Sequence, residues 1–125
     1  NAENVSPSLT WTGTPRGTKS FVLMMEDPDA VVTTFTHWIA FDIPGTQTEI
    51  AENVKSLGKG GLNSAKRNVY LGPCPPSGSH RYIFILTALD LEQLGLNEGA
   101  NRPDIERAMA GHILAKTQLM GLYPK

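Results

Sequence analysis

Three short apolar runs limit how this chain can fold: Ser20-Phe21-Val22-Leu23-Met24-Met25, His37-Trp38-Ile39-Ala40-Phe41-Asp42-Ile43 and Tyr82-Ile83-Phe84-Ile85-Leu86-Thr87-Ala88-Leu89. Each is six to eight residues long and bounded by turn formers, which is the pattern of buried strands rather than of helices. Glu26-Asp27-Pro28-Asp29 stops the first run, and Pro28 holds Asp27 out of helical geometry, so a buried strand ends in an acidic loop. Pro44-Gly45 closes the second run, in which period two places His37, Ile39, Phe41 and Ile43 on one face. The third run is β-branched and aromatic with apolar residues on both faces, as a strand at a sheet's centre requires.

Between and beyond these runs the chain is punctuated rather than periodic. Residues 46–79 read mostly as loop, with Gly58, Gly60, Gly61, Gly72 and Gly78 beside Pro73, Pro75 and Pro76, and loops of that length tend to carry function. Asp90 and Gln93 have the spacing of a capping box, predicting a short helical turn ended by Gly95. From Pro103, the residues Ile105, Ala108, Met109, His112 and Ile113 follow a helical stripe. That stripe predicts one long helix reaching Leu119 or Met120, with His112 packed in the core. No repeat or linker divides the chain, so residues 1–125 are expected to form a single domain of the mainly β class, an antiparallel sheet with peripheral helices.

Composition narrows the function. With 40% hydrophobic and 18% charged residues among 125, the chain can bury a core without disulfides or metal clusters. A formal net charge of −1 excludes the electrostatic footprint of a nucleic-acid-binding protein. Cys74 is the one cysteine, so no intrachain disulfide forms, and cytoplasmic and periplasmic or secreted settings remain equally open. No apolar run approaches the roughly 20 residues of a membrane helix, so an integral membrane protein is not expected. The start at Asn1-Ala2, without methionine, is that of a processed, trimmed or partial chain.

Two of the three histidines stand at strand mouths: His37 after one loop and His80 after a Pro/Gly loop. If their strands are neighbours, both imidazoles open onto one end of the sheet, where Asp27 and Asp29 end another strand. Two imidazoles and a carboxylate ringed by rigid backbone suit an acid/base site, a metal site or an anion pocket. Hydrolysis would draw on Ser77, Ser79, Thr36 or Cys74, but no Gly-x-Ser-x-Gly elbow occurs, and Cys74 between prolines lacks a helix N-terminus to activate it. A metal would need His37, His80 and Asp27, without any His-x-x-x-His or Cys-x-x-Cys pair in support. An anion pocket asks only for protonatable imidazoles and inward backbone N–H groups, which glycines allow to approach closely. Asp29 suits a turn role, and the Lys55, Lys59, Lys66 and Arg67 scatter reads as a solvated loop without a partner.

Several segments taken together resemble the phosphatidylethanolamine-binding protein family. They are Asp27-Pro28-Asp29-Ala30, then His37-Trp38-Ile39-Ala40-Phe41-Asp42-Ile43-Pro44, then Gly72-Pro73-Cys74-Pro75-Pro76-Ser77-Gly78-Ser79-His80-Arg81-Tyr82. Asn4-Val5-Ser6-Pro7-Ser8-Leu9-Thr10-Trp11, Gly111-His112-Ile113-Leu114-Ala115-Lys116 and Gly121-Leu122-Tyr123 are similar to its bacterial and archaeal branch, the Raf-kinase-inhibitor-like proteins. The resemblance implies a central antiparallel sheet with a smaller sheet packed on it, and a chain lacking the family's usual N-terminal stretch. It also implies a small pocket for phosphate-type anions or phospholipid head groups such as phosphoethanolamine, walled by Asp27, His37, Cys74, Pro75, Pro76, His80 and Tyr82. On this reading the protein is not an enzyme and holds no metal or other cofactor. The alternative the family carries is a protein-interaction module that inhibits a serine protease or a kinase.

Overall fold

The computed structural model describes residues 6–28, 34–72 and 82–119. All three apolar runs are strands. Here β2 is Ser20–Asp27, β3 is Phe35–Pro44 and β6 is Ile83–Leu89, and the remaining strands are β1 (Leu9–Thr10), β4 (Glu49–Ile50), β5 (Lys59–Gly61) and β7 (Ile113–Leu119). The five longer or more central strands form one antiparallel sheet in the order β5-β3-β2-β6-β7, and β1 pairs with β4 in a separate two-stranded sheet. β2 is therefore the middle strand. β3 and β6 are not neighbours, and the ends that carry positions 37 and 82 meet across the end of β2.

Apolar residues on both faces of β2 have covers on both sides. On one face Leu9 and Ile50 of the small sheet, with Trp11 just after β1, pack onto Phe21, Leu23, Met25, Trp38, Phe84 and Leu86. On the other, Val22, Met24, Ile39, Phe41 and Leu89 receive Ile105 and Met109 of α1 (Arg102–Met109), the one helix among the described residues. Gly61 lets that helix come close: a Cβ there would stand 2.7 Å from Ile105 Cδ1 and 2.9 Å from Ile39 Cγ2.

The predicted long helix is a correction. α1 spans eight residues, opened by Asn101, whose Oδ1 accepts the Asp104 N–H at 2.9 Å, and the chain turns at Gly111 (φ 82°). The residues that would have continued the stripe form β7 instead. Along β6 the outer edge offers backbone N–H and C=O groups, which 113–119 satisfy as a fifth strand, whereas a continued helix would leave that edge without a partner. His112 moves with this change. Its side chain is 41% exposed and its Nδ1 lies 2.8 Å from Asp90 Oδ1, so it is a surface residue hydrogen-bonded to Asp90 and not a core residue. Asp90 therefore serves His112, and residues 90–95 form bends without a helical turn.

Strict period two in β3 also fails, at two places. Between the pairs Phe21↔Ile43 and Leu23↔Ala40 the strand β3 carries one extra residue, and Asp42 there adopts φ 57°, a left-handed conformation that Asp tolerates. Between Met25↔Trp38 and Glu26↔Thr36 the extra residue is His37. Ile39 and Phe41 consequently share the helix-facing layer, while Ile43 lies in the layer under the small sheet. His37 is carried to that second side as well, in ring contact with Tyr82. Lys59 is not the unpartnered surface cation expected: its Nζ lies 3.3 Å from Asp42 Oδ2 and donates to Leu96 O at 3.0 Å.

Candidate functional site

The last residue of the middle strand is Asp27, 4% exposed. Alternation puts it on the same face as Phe21, Leu23 and Met25. The β2–β6 register runs from Ser20↔Leu89 to Glu26↔Ile83, and one further step sets Tyr82 opposite Asp27. On the other flank of β2, the bulge in β3 turns His37 to this side, where its ring meets Tyr82 edge-on at 5.5 Å and Phe35 at 4.8 Å. A carboxylate, an imidazole and a phenol thus converge at one end and on one face of the sheet, over Met25, Trp38 and Phe84. Cys74, Pro75, Pro76 and His80 lie outside the described residues.

The imidazole is held in one protonation pattern. His37 Nδ1 lies 2.9 Å from Leu71 O, and a carbonyl oxygen only accepts, so Nδ1 carries the proton. Nε2 in the neutral ring is then a lone pair, and becomes a donor only when the ring takes up a second proton. With His37 8% exposed, this assignment is set by a part-buried hydrogen bond to the backbone.

Sequence reasoning missed the groups that build this corner. Leu71 N–H donates to His37 O at 3.1 Å, so the 69–71 segment lies against β3 beside the bulge. Asn63, 4% exposed, donates from Nδ2 to His37 O at 3.3 Å and to Val69 O at 3.0 Å. Its Oδ1 accepts from Ala65 N–H at 2.9 Å and Arg67 N–H at 3.1 Å. Ser64 makes a two-bond contact with the strand, its Oγ accepting from Thr36 N–H at 2.8 Å and its N–H donating to Thr36 O at 2.9 Å. On the helix side, Arg102 Nη1 stands 2.5 Å from Glu26 Oε2 and donates to Thr36 Oγ1 at 2.8 Å, tying the register pair that follows the bulge. An Asn-Ser pair in a glycine-rich loop signals a turn. Nothing in its spacing tells which strand it will grip.

Among the described residues, no group of three or more His, Cys, Asp or Glu side chains could hold a metal ion, and no helix is long and apolar enough to cross a membrane. A central antiparallel sheet with a smaller second sheet packed on it is the architecture that the sequence motifs imply. Comparison with known proteins agrees. The family model for phosphatidylethanolamine-binding protein matches residues 1–124, and the chain belongs to that family. It is 46% identical over 132 residues to a UPF0098 protein of Aquifex aeolicus, an alignment covering all of this chain and 77% of the relative. A UPF0098 protein of Methanothermobacter thermautotrophicus is 45% identical over 129 residues, covering 98% of this chain and 85% of the relative. Among solved structures, a phosphatidylethanolamine-binding protein homologue from Chlamydia trachomatis superimposes with a TM-score of 0.88 at 38% identity, covering 97% of this chain and 82% of that one. Escherichia coli YbcL, described as a member of the mammalian family, gives 0.83 at 30% identity, over 96% and 80% of the two chains.

Proposed function

We propose that this protein binds phosphate-type anions, free or carried by a head group such as phosphoethanolamine, and turns nothing over. Asp27, His37 and Tyr82 wall the site on this reading, together with Cys74, Pro75, Pro76 and His80 from the segment outside the described residues. The observation that carries it is the Nδ1–Leu71 O hydrogen bond, because it reserves Nε2 of a buried imidazole for something other than the protein backbone. Protonated, that nitrogen donates a charge-assisted bond to an anionic oxygen. Tyr82 and the prolines supply an apolar rim, and Asp27 orients an imidazole or meets a ligand ammonium.

The test is a sulfate titration of the native protein and of His37→Ala at one pH. Losing the Nε2 contact should weaken binding about tenfold, about 1.4 kcal/mol. No saturable binding by the native protein, or a Kd in His37→Ala equal to the native one, would refute the reading. Phosphoethanolamine and phosphatidylethanolamine vesicles, compared under the same conditions, separate a soluble ligand from a membrane-borne one.

A further inference from the structure

Asn63 reaches position 37 from a loop, and no sequence motif connects the two. Its amide uses all of its capacity: two acceptances at Oδ1 from Ala65 and Arg67 N–H groups, and two donations from Nδ2 to Val69 O and His37 O. The two acceptances close the turn. That turn is completed by Lys66 in the left-handed region (φ 62°), by Lys66 N–H donating to Asn63 O at 2.9 Å, and by Asn63 N–H donating to Arg67 O at 2.8 Å. The two donations do something different. They fasten the returning segment and the bulge of β3 to one planar group, which fixes the separation between them. Leu71, two residues beyond the Val69 anchor, then brings its carbonyl to His37 Nδ1 at 2.9 Å and its N–H to His37 O at 3.1 Å.

From this we infer that Asn63 is a positioning residue for the anion site: by holding the 69–71 segment on His37, it selects the Nδ1–H tautomer and leaves Nε2 for the ligand. Asn63 acts through the imidazole's acceptor and not by touching the ligand. A bulge leaves its extra residue outside the strand ladder, so His37 has no cross-strand partner on β2 to fix its backbone. The loop supplies that constraint. Orientation of an imidazole through a hydrogen bond at its other nitrogen is the general means by which proteins decide which nitrogen faces a ligand. The inference rests on His37 being the anion-binding group proposed above.

The experiment compares the native protein, Asn63→Asp and Ser64→Ala, each uniformly ¹⁵N-labelled. The His37 Nδ1 and Nε2 shifts report the tautomer directly, and sulfate titrations at about pH 6 report affinity. Asn63→Asp keeps the shape and both acceptances at Oδ1, but sets an oxygen against the Val69 and His37 carbonyls. It should release the ring from Leu71 O, so that the Nδ1–H tautomer is no longer held and Nε2 no longer faces the ligand, and weaken sulfate binding about tenfold. Ser64→Ala loses a bond from the same loop to Thr36 and leaves the Asn63 amide intact, so its tautomer should match the native one. An unchanged tautomer in Asn63→Asp overturns the inference, as does an equal change in both variants, which would mean only that the loop had loosened. If Asn63→Asp does not fold, the native spectrum still decides: an Nε2–H tautomer there overturns the inference. A native protein with the Nδ1–H tautomer that binds no sulfate would remove the anion reading. The tautomer comparison would then still judge the Asn63 contact by itself.

Discussion

Replacing Arg102 with leucine tests how the helix side of the sheet supports the site. Arg102 Nη1 lies 2.5 Å from Glu26 Oε2, the Glu26 side chain is only 13% exposed, and no second hydrogen-bond partner reaches that oxygen among the described residues. The same nitrogen donates to Thr36 Oγ1 at 2.8 Å, while the contact of Nε with Glu106 at 3.2 Å is on the surface. The surface contact is worth roughly 0.3–0.5 kcal/mol. Stripping the partner from a buried carboxylate costs on the order of 3–5 kcal/mol. Residual exposure of both side chains, 32% for Arg102 and 13% for Glu26, lets water recover part of this, giving a net loss of about 2–3 kcal/mol in Arg102→Leu. For a chain of this length that is a fall in Tm of about 6–12 °C. The design of the control follows from the cause: in Glu26→Gln/Arg102→Leu no unpaired charge is left, and most of the loss should return. Urea unfolding of the four members of this cycle measures it. A single mutant within about 0.5 kcal/mol of the native protein, or a double mutant no better than Arg102→Leu, would show that Glu26 is solvated well enough to need no cation.

Other outcomes follow from single contacts. Gly61→Ala places a methyl group 2.7 Å from Ile105 Cδ1 and should cost about 1–3 kcal/mol by forcing α1 off the sheet, measured by denaturant midpoint. His112→Ala should cost less than about 1 kcal/mol, because it removes only an exposed hydrogen bond to Asp90, and a larger loss would mean that the ring is packed after all. The loss of sulfate affinity in His37→Ala and the tautomer change in Asn63→Asp complete the set.

How much could be read beforehand differs from element to element. The three strands at 20, 37 and 82 were legible because their apolar runs are too short and too closely bounded by Pro and Gly to fold otherwise. The stripe after Pro103 misled because Ile105, Ala108 and Met109 do belong to a helix, and the spacing of His112 and Ile113 continues it by coincidence. Only the free edge of β6 decides that Ile113–Leu119 is a strand.

For the site, chain order alone supplies the chemical groups: an acid at the end of one apolar run, a histidine at the start of the next and a tyrosine opening the third. Local patterning reaches that far because strand length and chain direction follow from nearest neighbours. It cannot supply register. Whether His37 faces the same way as Ile39 depends on one extra residue in β3, and a one-residue shift exchanges the faces of a strand. Which of its nitrogens carries the proton depends on a carbonyl 34 residues away, held by an asparagine 26 residues away. Those contacts exist only once the sheet is assembled, because they are distances between parts of the chain that no local preference brings together.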